Sequence, residues 1–324
     1  ARLQRNSSTH LQGNTQLMAN LLFYTVTILI WGSTWLGIKF QLGNVDPALS
    51  VAYRFALAAL ILFQWCVARR RPLRFSRNDH LYIAMQGFFL FAFNYLLFYL
   101  SELYITSGLA AVVFSTIVVM NLLNGRIFLG TPIEIRVLFG GGMGMVGLVL
   151  LFWPEMLAVN FSGPVMLGLL LSFAATYLAS LGNILSARNQ HRKLPVIQTN
   201  AFGMAYGSLC MVLVVIVSGA PITIDLSAPY LLSLVYLAFF GSVIAFGCYL
   251  SLVGRIGPGR AAYATLLFPV VALALSTIWE DYQWTISGLC GIALILCGNY
   301  LALVKSKPYT EKHKTNLEKL AADS

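Results

Sequence analysis

The sequence has few charged residues, since Asp, Glu, Lys and Arg make up only 10% of its 324 residues. A soluble domain carries roughly 25% of them, whereas 58% of this chain is hydrophobic. The apolar residues occur in runs of about 20, the length that crosses ~30 Å of hydrocarbon. The composition therefore excludes an ordinary soluble protein and predicts an all-α membrane protein.

The residues that commonly carry enzyme chemistry are also scarce. There are five cysteines and four histidines. No C-x-x-C pair suggests a disulfide framework or a zinc site, no Walker A motif is present, and no His, Asp or Glu lies near the centre of an apolar run. An intramembrane enzyme needs a base or metal ligands within reach of its substrate. We therefore expect no enzyme activity, no cofactor and no metal. An intramembrane enzyme is the alternative from a different class.

The apolar runs predict ten membrane spans between a polar tail (1–15) and a charged tail (305–324). The predicted spans are 16–40, 47–68, 80–103, 108–129, 133–153, 163–187, 195–218, 229–253, 259–279 and 284–304.

Ten spans place both tails on one side of the membrane. Nearly all of the 21 Lys and Arg residues fall on that side, and the loops of the other side carry acidic residues. The positive-inside rule therefore predicts cytoplasmic termini. The net charge of +10 does not indicate a nucleic-acid partner, because the basic residues are dispersed between apolar runs. The expected partners are the lipid bilayer and a small-molecule substrate.

An internal repeat divides the chain into two halves. The motif Gly-Leu-Ala-Ala at 108–111 returns as Gly-Arg-Ala-Ala at 259–262, and 81–152 aligns without a gap on 232–303. This predicts two five-helix repeats, 16–153 and 163–304. Because five is odd, the second repeat must enter the membrane in the opposite sense. Many secondary transporters are built from such inverted repeats, with the substrate site near the midplane.

These features resemble the EamA branch of the drug/metabolite transporter superfamily. The resemblance rests on the two halves, the aromatics of the third span, the two Gly-x-Ala-Ala motifs, Ala-Tyr-Arg-Phe at 52–55, and Phe-Pro-Val at 268–270 followed by Trp-Glu at 279–280. The aromatic-rich pattern is most similar to that of bacterial exporters of aromatic amino acids and related metabolites. The resemblance implies a bacterial inner membrane protein in which spans 1–4 and 6–9 surround a central cavity, with spans 5 and 10 to the side.

Arg54 is the one charge that lies clearly within a predicted span. A charge in the membrane is costly and usually faces a polar interior with a partner. One interpretation is a clamp for a substrate carboxylate, which a guanidinium binds through two hydrogen bonds. The other is a structural role, either paired with Glu102 or Glu280 or bonded to free backbone carbonyls.

Aromatic and polar side chains are predicted to line the cavity. Tyr95, Tyr99 and Glu102 follow an i, i+4, i+7 spacing, which places them on one helix face. The alternative for such aromatics is an interfacial belt at the span ends. The predicted substrate-binding residues are Trp31, Trp35, Arg54, Asn94, Tyr95, Tyr99, Ser115, Tyr249 and Tyr263. The predicted gating or coupling residues are Glu102, Pro269 and Glu280.

The function expected from this pattern is secondary transport. The exported solutes would be small metabolites, aromatic and other apolar amino acids first, carried by alternating access through the central cavity. An exporter of drugs or other amphipathic solutes is the alternative within the same class. Either a monomer or a homodimer is compatible with the sequence.

Overall fold

The structure of the chain is a computed structural model, which describes residues 2–41, 43, 45–159, 162–279 and 284–303. Within these ranges the side chains of 2–14, 35, 36, 39, 276 and 279 are not described. All regular secondary structure of the described residues is helical.

The described residues form ten helices, with a short helix, Trp153–Ala158, between the fifth and the sixth. They are α1 (Arg2–Lys39), α2 (Pro47–Ala68), α3 (Arg77–Ser101), α4 (Ser107–Leu129), α5 (Ile135–Leu151), α6 (Gly163–His191), α7 (Val196–Ser218), α8 (Ala228–Ile256), α9 (Pro258–Ala261 and Ala264–Trp279) and α10 (Ile286–Leu303).

These helices match the predicted spans in number and order. Within the described part of the chain, nine helices are long and apolar enough to cross a membrane, and α5 is a shorter apolar helix of 17 residues. The predicted all-α membrane architecture, ten helices in two inverted repeats, is confirmed. The first helix begins at Arg2 and is therefore longer than its predicted span of 16–40.

Local sequence explains where the helices begin and end. Asp46 caps α2, accepting a hydrogen bond of 2.8 Å from the backbone N–H of Ala48, and Pro47 occupies the first turn, where it needs no N–H partner. Gly130 and Gly219 end α4 and α7 with φ of 67° and 68°. These are left-handed conformations that cost glycine little.

Polar and apolar residues are distributed as lipid contact requires. Val217 and Ile286 are 87% and 83% exposed on the outer surface. Asn121, Asn183 and Asn200 are fully buried between helices. Polar groups in hydrocarbon must be satisfied internally, so the amide side chains lie inside and the aliphatic ones face outward.

Helices α5 and α10 form a pair beside the other eight. They approach closely through glycine: a methyl group on Gly147 would lie 2.6 Å from the carbonyl oxygen of Gly291, and one on Gly140 would lie 2.6 Å from that of Gly298. Small residues at a helix interface allow the two backbones to approach in this way. The remaining helices form the core, with α1 against α8 and α9, α2 against α7 and α8, and α3 against α6 and α7.

Two stretches of π-helix interrupt the α-helical hydrogen-bonding pattern at equivalent places. They are Gly87–Phe93 in α3 and Leu237–Ile244 in α8. The offset that carries residue 108 onto 259 carries 87–93 onto 238–244, so the two stretches are related by the internal repeat. A π-helical turn leaves backbone carbonyls available to side chains, and such turns are frequent at functional sites.

Candidate functional site

A cavity of about 130 Å³ lies at the centre of the bundle, lined by α1–α4, α6, α8 and α9. The two ends of the molecule are named here the Glu102 end, where α3 ends and α4 begins, and the Pro258 end, where α8 ends and α9 begins. Helices α5 and α10 contribute no lining residue, as the resemblance implied. Neither does α7, which packs behind α2 and α3 and was expected around the cavity. It is held there by the hydroxyl of Ser208, which donates to the carbonyl of Ala52 at 2.8 Å.

Seven of the residues singled out in the sequence line this cavity. They are Trp31, Arg54, Asn94, Tyr95, Tyr99, Glu102 and Tyr249. They come from α1, α2, α3 and α8, so the fold brings together side chains that are distant in sequence.

The guanidinium of Arg54 is buried, and only part of its donor capacity is used. Its Nε donates to the hydroxyl of Ser242 at 2.9 Å, and its Nη1 has no hydrogen-bond partner. The guanidinium carbon lies 4.9 Å from the centre of the Tyr95 ring. No carboxylate among the described residues forms an ion pair with it. A cation with a free N–H in a cavity wall can bind an anionic group.

The π-helical stretch of α8 positions the support of Arg54. The hydroxyl of Ser242 donates to the carbonyl of Leu237, five residues earlier, at 3.0 Å, which leaves its oxygen oriented to accept from Arg54. The carbonyl of Gly241 in the same stretch accepts the indole N–H of Trp31 at 3.1 Å. The irregular helix therefore fixes both a charged and an aromatic residue of the cavity.

Trp31 is the centre of an aromatic wall. Its ring centre lies 5.0 Å from that of Phe246, 4.9 Å from that of Tyr249 and 5.9 Å from that of Phe268. These are ordinary distances for edge-to-face and tilted aromatic pairs. Together with Tyr95 they give the cavity an apolar wall next to the guanidinium of Arg54.

Many of the residues that line the cavity are related in pairs by the internal repeat. The offset that carries 108 onto 259 carries Tyr95 onto Phe246 and Phe98 onto Tyr249, and all four residues line the cavity. It likewise relates Phe114 to Thr265 and Ile117 to Phe268, which also line it. The site therefore lies between equivalent helices of the two halves. Phe246 and Phe268 were not predicted as site residues. The offset applied to the predicted residue Tyr95 would have identified Phe246, whereas Ile117, the counterpart of Phe268, was not itself predicted.

Two predicted residues point away from the cavity into local hydrogen bonds. The Ser115 hydroxyl donates to the carbonyl of Val112 at 2.6 Å within α4, and the Tyr263 hydroxyl donates to the carbonyl of Val137 on α5. Both are buried but neither lines the cavity. Pro269 lies inside α9, next to the lining residue Phe268. The Trp35 side chain and Glu280 lie outside the described residues.

Glu102 lies at the rim of the cavity, directly after Ser101, the last residue of α3. Burial raises the pKa of its carboxyl from the ordinary value of 4.5 to about 7. The carboxyl therefore exchanges its proton in the neutral range, unlike an exposed glutamate.

Toward the Pro258 end the helices are joined by amide side chains. The Nδ2 of Asn189 on α6 donates to the side-chain oxygen of Gln86 on α3 at 3.0 Å. The Nε2 of Gln190 donates to the carbonyl of Leu250 on α8 at 2.8 Å, and the Nδ2 of Asn121 on α4 donates to the carbonyl of Pro258 at 3.0 Å. In this half of the bundle the helices are packed together and joined by side-chain hydrogen bonds.

Glycines bring α3 and α7 close together in the same half. A methyl group on Gly207 would lie 3.0 Å from the carbonyl oxygen of Gly87, and one on Gly87 would collide with the backbone carbonyl of Gly203. Contacts this short require the absence of a Cβ, so the close packing is specified by the sequence.

Comparison with known proteins agrees with this architecture. The model of the EamA-like transporter family matches residues 18–153 and again 166–304. A solved crystal structure that is 19% identical superposes with a TM-score of 0.72, covering 88% of this chain and 96% of that one, and shares the fold.

Several bacterial proteins are similar over most of their length. The "Probable amino-acid metabolite efflux pump" of Escherichia coli K12 is 27% identical over 285 residues, which cover 85% of this chain and 92% of that protein. Protein PagO of Salmonella typhimurium is 24% identical, covering 92% and 97%. The "Uncharacterized inner membrane transporter YedA" of Escherichia coli K12 is 27% identical, covering 84% and 89%. Because the family model matches both halves of the described bundle, this chain belongs to the EamA-like transporter family.

Proposed function

We propose that this protein is a secondary transporter that exports aromatic and other apolar amino acids by alternating access through the central cavity. The observation that carries the proposal is the free Nη1 of Arg54 beside the aromatic wall of Trp31, Phe246 and Phe268. Family membership and a relative named as an amino-acid metabolite efflux pump support a transporter rather than an enzyme.

The cavity offers complementary partners to each part of such a solute. The carboxylate would bind the guanidinium of Arg54, which already has one anchor in Ser242. An apolar or aromatic side chain would pack on Trp31 and its neighbours. Polar groups of Asn94 and Tyr99 lie on the same wall, and the buried Tyr99 hydroxyl has no partner, so it is free to bond the ammonium group.

Charge supports an orientation for the molecule. Arg69, Arg71 and Arg74 follow α2, and Arg192 and Lys193 follow α6, all on the side of the Pro258 end. By the positive-inside rule that side is cytoplasmic. The two termini would share it, and the Glu102 end would face outward. The relative named as an inner membrane transporter supports the bacterial inner membrane as the location.

The test is transport in liposomes with a matched pair of solutes. Phenylalanine carries the carboxylate and phenethylamine lacks it. A hydrogen bond to a charged group contributes about 1.5–3 kcal/mol, so Arg54→Ala should lower kcat/KM for phenylalanine by roughly 10- to 150-fold. Transport of phenethylamine should change little. Arg126→Ala, which removes an exposed arginine at the end of α4, is the control.

The second candidate is an exporter of drugs or other amphipathic solutes, which the apolar lining favours. In that case Arg54 is structural, and Arg54→Ala would reduce transport of both solutes equally. That result would refute the carboxylate clamp. Saturable transport of apolar cations with no transport of any amino acid would refute the amino-acid assignment itself.

A further inference from the structure

Glu102 is the one acidic residue among the described residues that line the cavity. It is half-buried, and no described residue forms a hydrogen bond or an ion pair with its carboxylate. An ionised carboxylate is costly in a low-dielectric site unless it is paired. Its position at the rim, where the cavity meets the surface, leaves the carboxylate partly hydrated.

The charged and titratable groups around Glu102 do not neutralise it. Tyr99, one turn earlier on α3, interacts electrostatically with Glu102, with Arg54 of α2, with Tyr95 of α3 and with Tyr230 of α8. Arg54 stacks on Tyr95, which is seven residues from Glu102, or ~10 Å along the helix axis. The guanidinium is therefore too far away for a direct pair. Burial is the cause of the raised pKa, about 7, of the Glu102 carboxyl.

Release of the solute leaves the Glu102 carboxylate without a compensating charge, because Arg54 lies over Tyr95, about two helical turns from Glu102. Closing the cavity at the Glu102 end would then remove the last water from an unpaired carboxylate. This step is unfavourable for the ionised group and favourable for the neutral one.

We propose that Glu102 is the proton-binding site of the transport cycle, and that the Glu102 end of the cavity closes only when its carboxyl is protonated. The inference rests on the proposed function. A proton from water at that end adds to a carboxylate oxygen of Glu102 after the solute leaves, and the neutral side chain is enclosed. The proton returns to water when the cavity opens toward the Pro258 end. Each cycle therefore exchanges one proton for the exported solute.

The experiment uses the full chain in liposomes, with labelled phenylalanine as the probe. Counterflow without a pH gradient reports transport alone. Accumulation driven by an imposed pH gradient reports coupling. The variants are Glu102→Gln and Glu102→Asp. The matched control is Glu155→Gln, which alters an exposed glutamate at the same end that bonds the Thr106 hydroxyl.

For the unmodified protein we expect accumulation with the gradient and counterflow that slows as pH rises through about 7. Glu102→Gln should reduce the accumulation ratio to one, with counterflow that persists and no longer depends on pH. Glu155→Gln should match the unmodified protein. If Glu102→Gln does not fold, the pH dependence of counterflow by Glu102→Asp is the deciding measurement. If residue 102 is the proton site, the pH midpoint of that dependence must shift from that of the unmodified protein.

Gradient-driven accumulation by Glu102→Gln would overturn the inference, as would an unshifted midpoint for Glu102→Asp. Counterflow by the unmodified protein without any response to a gradient would overturn it too, while leaving the proposed function intact. Absence of counterflow in the unmodified protein would instead refute the proposed function, and the coupling inference with it.

Discussion

The hydrogen bond between Arg54 and Ser242 allows the proposed binding role of Arg54 to be tested without removing its charge. Ser242→Ala deletes the acceptor of the Arg54 Nε, which is 2.9 Å away. A hydrogen bond to a charged group is worth about 1.5–3 kcal/mol. If the serine acts by orienting the guanidinium toward a carboxylate, kcat/KM for phenylalanine should fall by up to that amount, roughly 10- to 150-fold.

A double-mutant cycle separates this role from general packing. In an Arg54→Ala background the serine has no guanidinium to orient, so Ser242→Ala should then cost little, and the two effects should be strongly non-additive. Ser242→Thr keeps the hydroxyl and should retain most of the activity. Ser251→Ala is the control, because that hydroxyl only donates to the carbonyl of Gly247 in the same helix, at 2.6 Å.

The result that would refute the reasoning is simple additivity. If Ser242→Ala lowers phenylalanine transport by the same factor with and without Arg54, the serine acts independently of the guanidinium. An equal loss for phenethylamine would lead to the same conclusion, since that solute has no carboxylate for Arg54 to bind.

Two further substitutions test the packing and the aromatic wall. Gly147→Val should lower the thermal midpoint of unfolding in detergent, because overpacking costs about 1–3 kcal/mol. Gly142→Val on the same helix should not, since a Cβ there meets nothing within 4 Å. Equal effects of the two substitutions would contradict the glycine contact with α10. Phe246→Ala should raise KM for phenylalanine about fivefold, which corresponds to about 1 kcal/mol of lost aromatic contact. Phe240→Ala should not, because Phe240 is 42% exposed on the same helix. An unchanged KM for Phe246→Ala would show that the Phe246 ring does not contact the solute.

Sequence reasoning succeeded where one helix or one repeat contains the signal. Apolar runs located all ten helices, and the spacing of Tyr95, Tyr99 and Glu102 placed three lining residues on one face of α3. It failed for contacts between helices. Nothing near Arg54 in the sequence indicates that Ser242, on α8, is its partner.

The π-helical stretches were also invisible in the sequence. The residues of Gly87–Phe93 and Leu237–Ile244 are mostly apolar, as in an ordinary membrane helix, so the sequence carries no signal for the change in hydrogen bonding. Ser115 and Tyr263 show the opposite error. Both are polar residues within spans, but the Ser115 hydroxyl bonds a carbonyl of its own helix, as serine often does, and the Tyr263 hydroxyl bonds a carbonyl of the neighbouring helix α5.

The close glycine packing of α3 on α7 has a consequence for the resting population of the protein. The offset that carries residue 108 onto 259 carries Gly87 onto Ala238, which has a side chain at the equivalent place on α8. Inverted halves can exchange shapes at equal free energy only if their contacts are equivalent, and these are not. Under the proposed alternating-access cycle the two access states would therefore differ in free energy before any solute binds, and the glycine packing would favour the state that is tight at the Pro258 end. We therefore expect an unloaded molecule to rest with its cavity open toward the Glu102 end.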